Sequence, residues 1–192
     1  MIDLTFSTQK TPSKGDVLLS DPFESDQYFT RSVILLCDHD DNGSFGFVLN
    51  NYLNINLHSL LPKFPSIDTK VSVGGPVDTE SVFYIHTFGD KVAGSTHIGD
   101  SLYFGGDFDD LIQLMTQAPE NVQKVRFFLG YSGWSPNQLK EEMNKNSWIV
   151  SSEHKGNDLF DTKEKNLWEK LMKKQGKKFE MMAKFPLDPT NN

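Results

Sequence analysis

Apolar positions along this chain fall mostly into short runs of three to six residues, with few stripes of helical period. Residues 15–20 (Gly-Asp-Val-Leu-Leu-Ser) read as a first strand, stopped by Asp21-Pro22. Residues 32–37 and 45–49 are two further runs. Asn42-Gly43 in the polar stretch between them is a strong hairpin dipeptide, because both residues tolerate positive φ. Residues 71–73, 81–87, 95–98, 102–104, 125–129 and 148–150 add short strands separated by glycine-bearing turns.

Helical spacing is confined to a few segments. Asn56 caps a short helix carrying Leu57, Leu60 and Leu61 and ended by Pro62. Asp107 caps an amphipathic helix in which Phe108, Leu111, Ile112 and Met115 share one face. Residues 130–139 (Gly-Tyr-Ser-Gly-Trp-Ser-Pro-Asn-Gln-Leu) read as a strand end, a tight glycine corner and a helix start. There Ser135 is the N-cap, Pro136 the first helical residue and Gln138 the partner in a capping box. A last helix over residues 163–175 sets Leu167, Trp168, Leu171 and Met172 against Lys163, Lys170, Lys174 and Lys177, with Gly176 as its stop. Many strands, few helices and no βαβ rhythm predict an α+β fold. The expected organisation is an N-terminal arm over residues 1–14, one domain over 15–180 and a tail over 181–192.

Composition narrows the function classes. The 192 residues carry a net charge of −7, which disfavours a protein that coats nucleic acid. Residues 163–178 depart from that balance, with seven lysines against Glu164 and Glu169. These lysines offer a phosphate-binding face or, more simply, the solvated side of a helix. No aromatic residues interleave with them, so direct nucleic-acid binding is not the expected role. No apolar run nears the ~20 residues of a membrane helix, and the first residues lack the pattern of a signal peptide. The expected compartment is the cytoplasm. A single cysteine, Cys37, leaves no internal disulfide and no cysteine-rich zinc site, and it ends an apolar run as a small core residue would.

Several motifs occur in a fixed order: residues 18–23, Arg31-Ser32-Val33, His39, Gly43 followed by residues 45–50, Gly74-Gly75-Pro76-Val77, His86, residues 130–134, Gln138-Leu139, Glu142 and Asn146-Ser147-Trp148. Together they resemble the YqgE/AlgH family of uncharacterised bacterial proteins over roughly residues 15–175. The resemblance implies a bent, largely antiparallel sheet folded into a pseudo-barrel with several helices packed around it, in a bacterial cytosolic protein. The family label also attaches one branch to control of alginate production, as a transcriptional regulator. Two departures stand out. Asn50-Asn51 replaces a usual Asn-Arg and removes a cation, and Asn137-Gln138-Leu139 replaces a usual Gly-Gln-Leu.

Candidate chemistry is sparse. Gly130-Tyr131-Ser132-Gly133 approaches the nucleophile elbow of α/β-hydrolases, but the second glycine comes one residue early. The family that it resembles often has alanine in place of Ser132. His39 among Asp38, Asp40 and Asp41 is a candidate metal or acid–base group, with Asp38 as co-ligand and His86 as the attractive distant partner. Gly74 and Gly75 offer a backbone anion nest, although Pro76 removes one donor. The motif residues are mostly Gly, Pro, Trp, Asn and aliphatics, types that shape backbone and core. The leading expectation is therefore a binding or regulatory domain without turnover, with Asn50, Gly74, Gly75, Trp134 and Gln138 as binding positions. No cofactor is expected, and a protein partner is allowed for. A hydrolase or metal-assisted enzyme using His39 and His86 is the rival, and nucleic-acid binding through the last helix a second rival.

Overall fold

The computed structural model describes residues 10–24, 26–152 and 159–186. Residues 1–9 of the expected arm and 187–192 of the expected tail lie outside these. Among the described residues ten strands carry the fold: β1 (Val17–Ser20), β2 (Val33–Asp40), β3 (Gly43–Val48), β4 (Tyr52–Leu53), β5 (Val71–Val73), β6 (Val77–His86), β7 (Thr96–Gly99), β8 (Leu102–Phe104), β9 (Val125–Trp134) and β10 (Trp148–Ser151). Around them pack α1 (Leu57–Leu60), α2 (Phe108–Gln117), α3 (Gln138–Asn144), α4 (Leu167–Lys174) and α5 (Lys177–Met182).

The sheet runs β10-β1-β2-β3-β9-β6-β8-β7, antiparallel throughout this path. β4 and β5 stand beside it, and β5 is joined to the first half of β9 in parallel. The sheet bends strongly: a methyl on Gly99 in β7 would meet Gly15 Cα, just before β1, at 3.7 Å. No ladder joins β7 to β1 or β10 among the described strands, so the pseudo-barrel stays open. The fold is α+β, as the run pattern predicts.

Period-2 alternation explains why both faces of β1 and β2 are apolar. Val17, Leu19, Val33, Leu35 and Cys37 enter one core, with Trp168, Leu171 and Met172 of α4. Leu18, Ile34 and Leu36 enter a second, roofed by Leu139 and Met143 of α3 with Trp134 and Trp148. A third core lies under α2, where Leu111 and Met115 meet Val71, Tyr84 and Phe127. Trp168 is thus a core residue whose Nε1 donates to the Ser20 carbonyl at 3.1 Å.

Four local expectations need correction. The hairpin turn is shifted by one position from Asn42-Gly43: Asp40 pairs with Gly43, so Asp41-Asn42 form the turn and Gly43 takes φ 139°. The glycine corner is no corner, because β9 runs unbroken through Gly130-Tyr131-Ser132-Gly133. The ladder between β6 and β9 jumps from Val77 opposite Tyr131 to Val82 opposite Leu129, and this bulge faces Gly130 at φ 67°. A Cβ on Gly130 would sit 2.7 Å from the Gly75 carbonyl, which is why the bend needs glycine there.

Ser135 is not the N-cap of α3. Its N–H donates to Gln138 Oε1 at 3.0 Å, the return half of a capping box, while Asn137 holds the cap position at φ 67°. Asparagine is the best substitute for glycine in that left-handed region, which accounts for the departure from Gly-Gln-Leu. Finally, the helix expected over residues 163–175 begins only at Leu167. Gly176, at φ 116°, stands just beyond the C-cap Gln175 as the expected stop, and the further short helix α5 follows it.

Candidate functional site

The ends of β2, β3 and β9 come together where Ser44 pairs with Trp134 and Asp40 with Gly43. Successive residues of these strands point to opposite sides, so two concavities form back to back. On the inner side a bowl of about 670 Å³ is walled by Phe45, Phe83, Phe104 and Tyr131, with fully buried Phe47 beneath and Trp134 at one side. Rings meet largely edge to face: Phe45 with Phe104 at 5.2 Å, Phe45 with Tyr131 at 6.1 Å, Phe83 with Tyr131 at 5.6 Å. Phe47 stacks on Phe128 at 4.5 Å. Such contacts hold the rings in place. No helix residue lines the bowl among the described residues, and Asp38, Asp40 and Val77 stand on its lining. Val77 is 38% exposed, uncommon for an aliphatic side chain in a strand of this fold.

On the outer side, an equally large cleft gathers Lys10, His39, Asp41, Ser44, Asn137 and Lys140. Asp38 faces the bowl while His39 faces this cleft, so the strand separates the two expected metal ligands. Among the described residues no three His, Cys, Asp or Glu side chains gather as a metal-holding cluster. His39 Nδ1 lies 2.6 Å from Ser44 Oγ, its cross-strand neighbour.

His86 is remote. It pairs with Val125 at one end of β9, whereas Ser44 pairs with Trp134 at the other. At ~3.3 Å per residue along a strand the two imidazoles lie on the order of 30 Å apart, too far to share a ligand or a water. His86 has no exposed surface and stacks between Phe88 and Tyr103, both at 5.7 Å. Its Nε2 meets the Gly105 carbonyl at 3.0 Å and its Nδ1 accepts from the Phe88 N–H at 3.2 Å, a pattern that requires the neutral Nε2–H form. Burial lowers its pKa from the ordinary 6.5, against the Gly105 hydrogen bond. Below pH 6.5 the unfolded chain takes up a proton that folded His86 resists. Its contribution to stability is therefore complete above that pH and declines as pH falls toward the lower folded value. Melting curves between pH 7.5 and 5 are expected to show a steeper loss for the wild type than for His86→Gln. Parallel slopes would show that His86 protonates freely in the native state.

The other expected binding positions are built into the frame. Asn50 accepts from the Val33 N–H and donates to the Arg31 carbonyl, both at 2.8 Å, clasping the entry to β2. Gly74 donates its N–H to the Leu129 carbonyl at 2.8 Å, so it is no anion nest. Its carbonyl accepts from the Val48 N–H and from Ser132 Oγ. A Cβ on Gly74 would lie 2.2 Å from the Gly130 carbonyl, and one on Gly75 would lie 2.3 Å from the Tyr131 carbonyl carbon. Ser132 is buried with its hydroxyl committed to Gly74, which removes the nucleophile-elbow reading.

Trp134 and Gln138 belong to a hub that sequence reading passes over. One carboxylate oxygen of Glu142 accepts from Trp134 Nε1 at 2.8 Å and from Trp148 Nε1 at 2.7 Å. The other oxygen accepts from Gln138 Nε2 at 3.0 Å. The two indoles meet edge to face at 5.9 Å. This hub ties β9, α3 and β10 together behind the bowl.

Arg126 is the second residue missed. It is fully buried in the middle of the sheet, donating to the carbonyls of Leu49 and Leu159 and, at 3.0 Å, to Ser72 Oγ. Its guanidinium lies over the rings of Tyr52 and Phe128. Desolvation lowers its pKa, opposed by the nearby Tyr52 hydroxyl and Asp161. Burial likewise drives the Cys37 thiol pKa far up, so it is no nucleophile at neutral pH.

A bent, largely antiparallel sheet with helices on both faces and an aromatic bowl at the ends of β2, β3 and β9 defines a small α+β domain. The chain belongs to the AlgH-like family, whose model matches residues 17–180. It is 38% identical to a UPF0301 protein of Bacteroides thetaiotaomicron over 97% of this chain and 94% of that one. It is 36% identical to one of Cytophaga hutchinsonii over 94% and 99%. The fold matches an X-ray structure of a Corynebacterium diphtheriae protein with TM-score 0.77 and 22% identity, covering 92% and 94% of the two chains. It also matches the solution structure of AlgH from Pseudomonas aeruginosa, with TM-score 0.69 and 23% identity over 93% and 97%.

Proposed function

We propose that this protein is a non-catalytic binding domain, regulatory or accessory in role, whose ligand seats in the aromatic bowl. One observation carries the reading: a concavity of about 670 Å³ walled by four half-buried rings and left uncovered by every described helix. The motif residues support it from the other side, since Asn50, Gly74, Ser132, Gln138 and Glu142 commit their polar groups to the frame. The cytoplasm is the compartment that goes with this reading, supported by a lone cysteine that leaves no internal disulfide. No described helix is long and apolar enough to cross a membrane.

Direct nucleic-acid binding is disfavoured by the lysine face itself. Lys173 pairs with Glu169 at 2.8 Å and Lys170 approaches Glu164 at 3.9 Å, so glutamates are interleaved along it. Hydrolysis is the second reading, favoured by the Ser44–His39 contact at 2.6 Å, a nucleophile within reach of a base. Against it, no third group orients the imidazole through Nε2 among the described residues.

One experiment separates the two. The neutral dye Nile red is titrated against wild type and Val77→Trp, and both proteins are then treated with a fluorophosphonate. The binding reading expects blue-shifted emission from wild type, at least a five-fold weaker response from the variant whose new ring fills the mouth, and no labelling. Labelling that disappears in Ser44→Ala would install the hydrolase, and equal dye binding by both proteins would remove the bowl as the site.

A further inference from the structure

We infer that the ligand of the bowl is an organic cation: an apolar body of alkyl or aryl character ending in an ammonium group. The inference rests on the binding reading above and adds the ligand's charge. The ionisable side chains on the bowl's lining that carry charge at neutral pH are Asp38 and Asp40, and no lysine, arginine or histidine lines it. Both carboxylates are exposed at the mouth. Asp40 accepts from the Asn42 N–H at 2.7 Å and from Asn42 Nδ2 at 3.3 Å, and Asp38 Oδ1 from the His39 N–H at 3.1 Å, which orients the pair without neutralising it. Lys14 Nζ, in the chain before β1, approaches Asp38 Oδ1 to 3.9 Å and does not line the bowl.

Inside the mouth stand Phe45, Phe83, Phe104 and Tyr131, whose π-faces attract cations and whose hydrocarbon accepts an apolar tail. An anionic head would face two carboxylates and no cation on the lining. A neutral head would gain at most a hydrogen bond from either aspartate, without the charge attraction. The chain's net charge of −7 adds a long-range pull of the same sign. Ring and carboxylate therefore select the same head group independently.

The test uses one tail and three heads: hexyltrimethylammonium, hexan-1-ol and hexyl sulfate. Each is titrated into the full chain while the backbone amide resonances of Phe45, Tyr131 and Gly133 are followed. The expected order is ammonium tightest, about ten-fold over the alcohol, with the sulfate weakest. The gap between ammonium and alcohol narrows as salt is raised. Asp38→Asn combined with Asp40→Asn brings the ammonium to the alcohol's affinity and leaves the alcohol unchanged. Both side chains are exposed, so the variant keeps its fold, checked by an unchanged melting temperature. Equal affinity of ammonium and alcohol in the wild type, or an ammonium affinity unmoved by the double substitution, overturns the cation inference and leaves the bowl as a binding site. Failure of all three probes to shift the bowl resonances overturns the binding reading itself.

Discussion

Glu142→Ala is expected to lower the free energy of unfolding by about 2–4 kcal/mol, with Glu142→Gln costing only about 1. The alanine variant strands two indole N–H groups at positions where Trp134 and Trp148 are 6% and 4% exposed, and each unpaired donor carries its own desolvation cost. Glutamine keeps a carbonyl that can take both indoles. Its amide then meets the Gln138 amide, which is held the wrong way round for pairing because Gln138 Oε1 already accepts from Ser135 N–H. One bond of the three is lost. Urea titrations at neutral pH read the two values, and near-equal midpoints for the two variants would mean that water satisfies the indoles and the hub carries little. Trp148 also meets Phe29 edge to face at 5.5 Å, so local loosening in Glu142→Ala is expected to reach the segment before β2.

Arg126→Ala is expected to cost about 3–5 kcal/mol, a loss comparable to large-to-small changes in a core. Removing the side chain opens a void between Tyr52 and Phe128 and leaves the Leu159 carbonyl without its donor. The Leu49 carbonyl keeps one partner, since Ser72 Oγ donates to it at 3.1 Å. Arg126→Met is the informative companion. It restores most of the volume and removes a charge that is costly to bury, so it is expected to recover more than half of the loss. Equilibrium unfolding of the two variants decides the matter. A methionine variant as unstable as the alanine one would show that the guanidinium's hydrogen bonds, rather than its packing, hold this part of the sheet.

Much of the frame could be read from residues whose local and global preferences agree. The alternation in residues 32–37 sends odd and even side chains into two different cores, and that pattern is visible in the chain itself. Asp107 caps α2 through hydrogen bonds to the N–H groups of Asp109 and Asp110, as its position suggests. β9 misled because Gly130 and Gly133 carry the local mark of a turn, while the paired strands β3 and β6 hold them in a ladder. Gly176 was legible as the stop of α4, and only the short α5 beyond it went unread.

The site was less legible. Phe45, Phe83, Phe104 and Tyr131 lie on four strands, and only the register brings them to one bowl. Asp38 and His39 looked like one polar cluster until the extension of β2 to Asp40 sent them to opposite sides. Glu142 has the sequence appearance of any solvent-facing helical glutamate. Arg126 did leave a trace: a lone cation inside the apolar run Val125-Arg126-Phe127-Phe128-Leu129 is either exposed or held by acceptors, and the burial of its neighbours favours the second.

The central claim is that the motif residues build the frame while the bowl binds. It is tested most directly by Nile red affinity in Glu142→Gln and Val77→Trp, measured well below both melting temperatures. The expected result is a double separation: Glu142→Gln melts lower and keeps wild-type affinity within two-fold, whereas Val77→Trp melts as wild type and loses at least five-fold. A folded Glu142→Gln protein that no longer binds the dye, beside a Val77→Trp protein that still does, would contradict it.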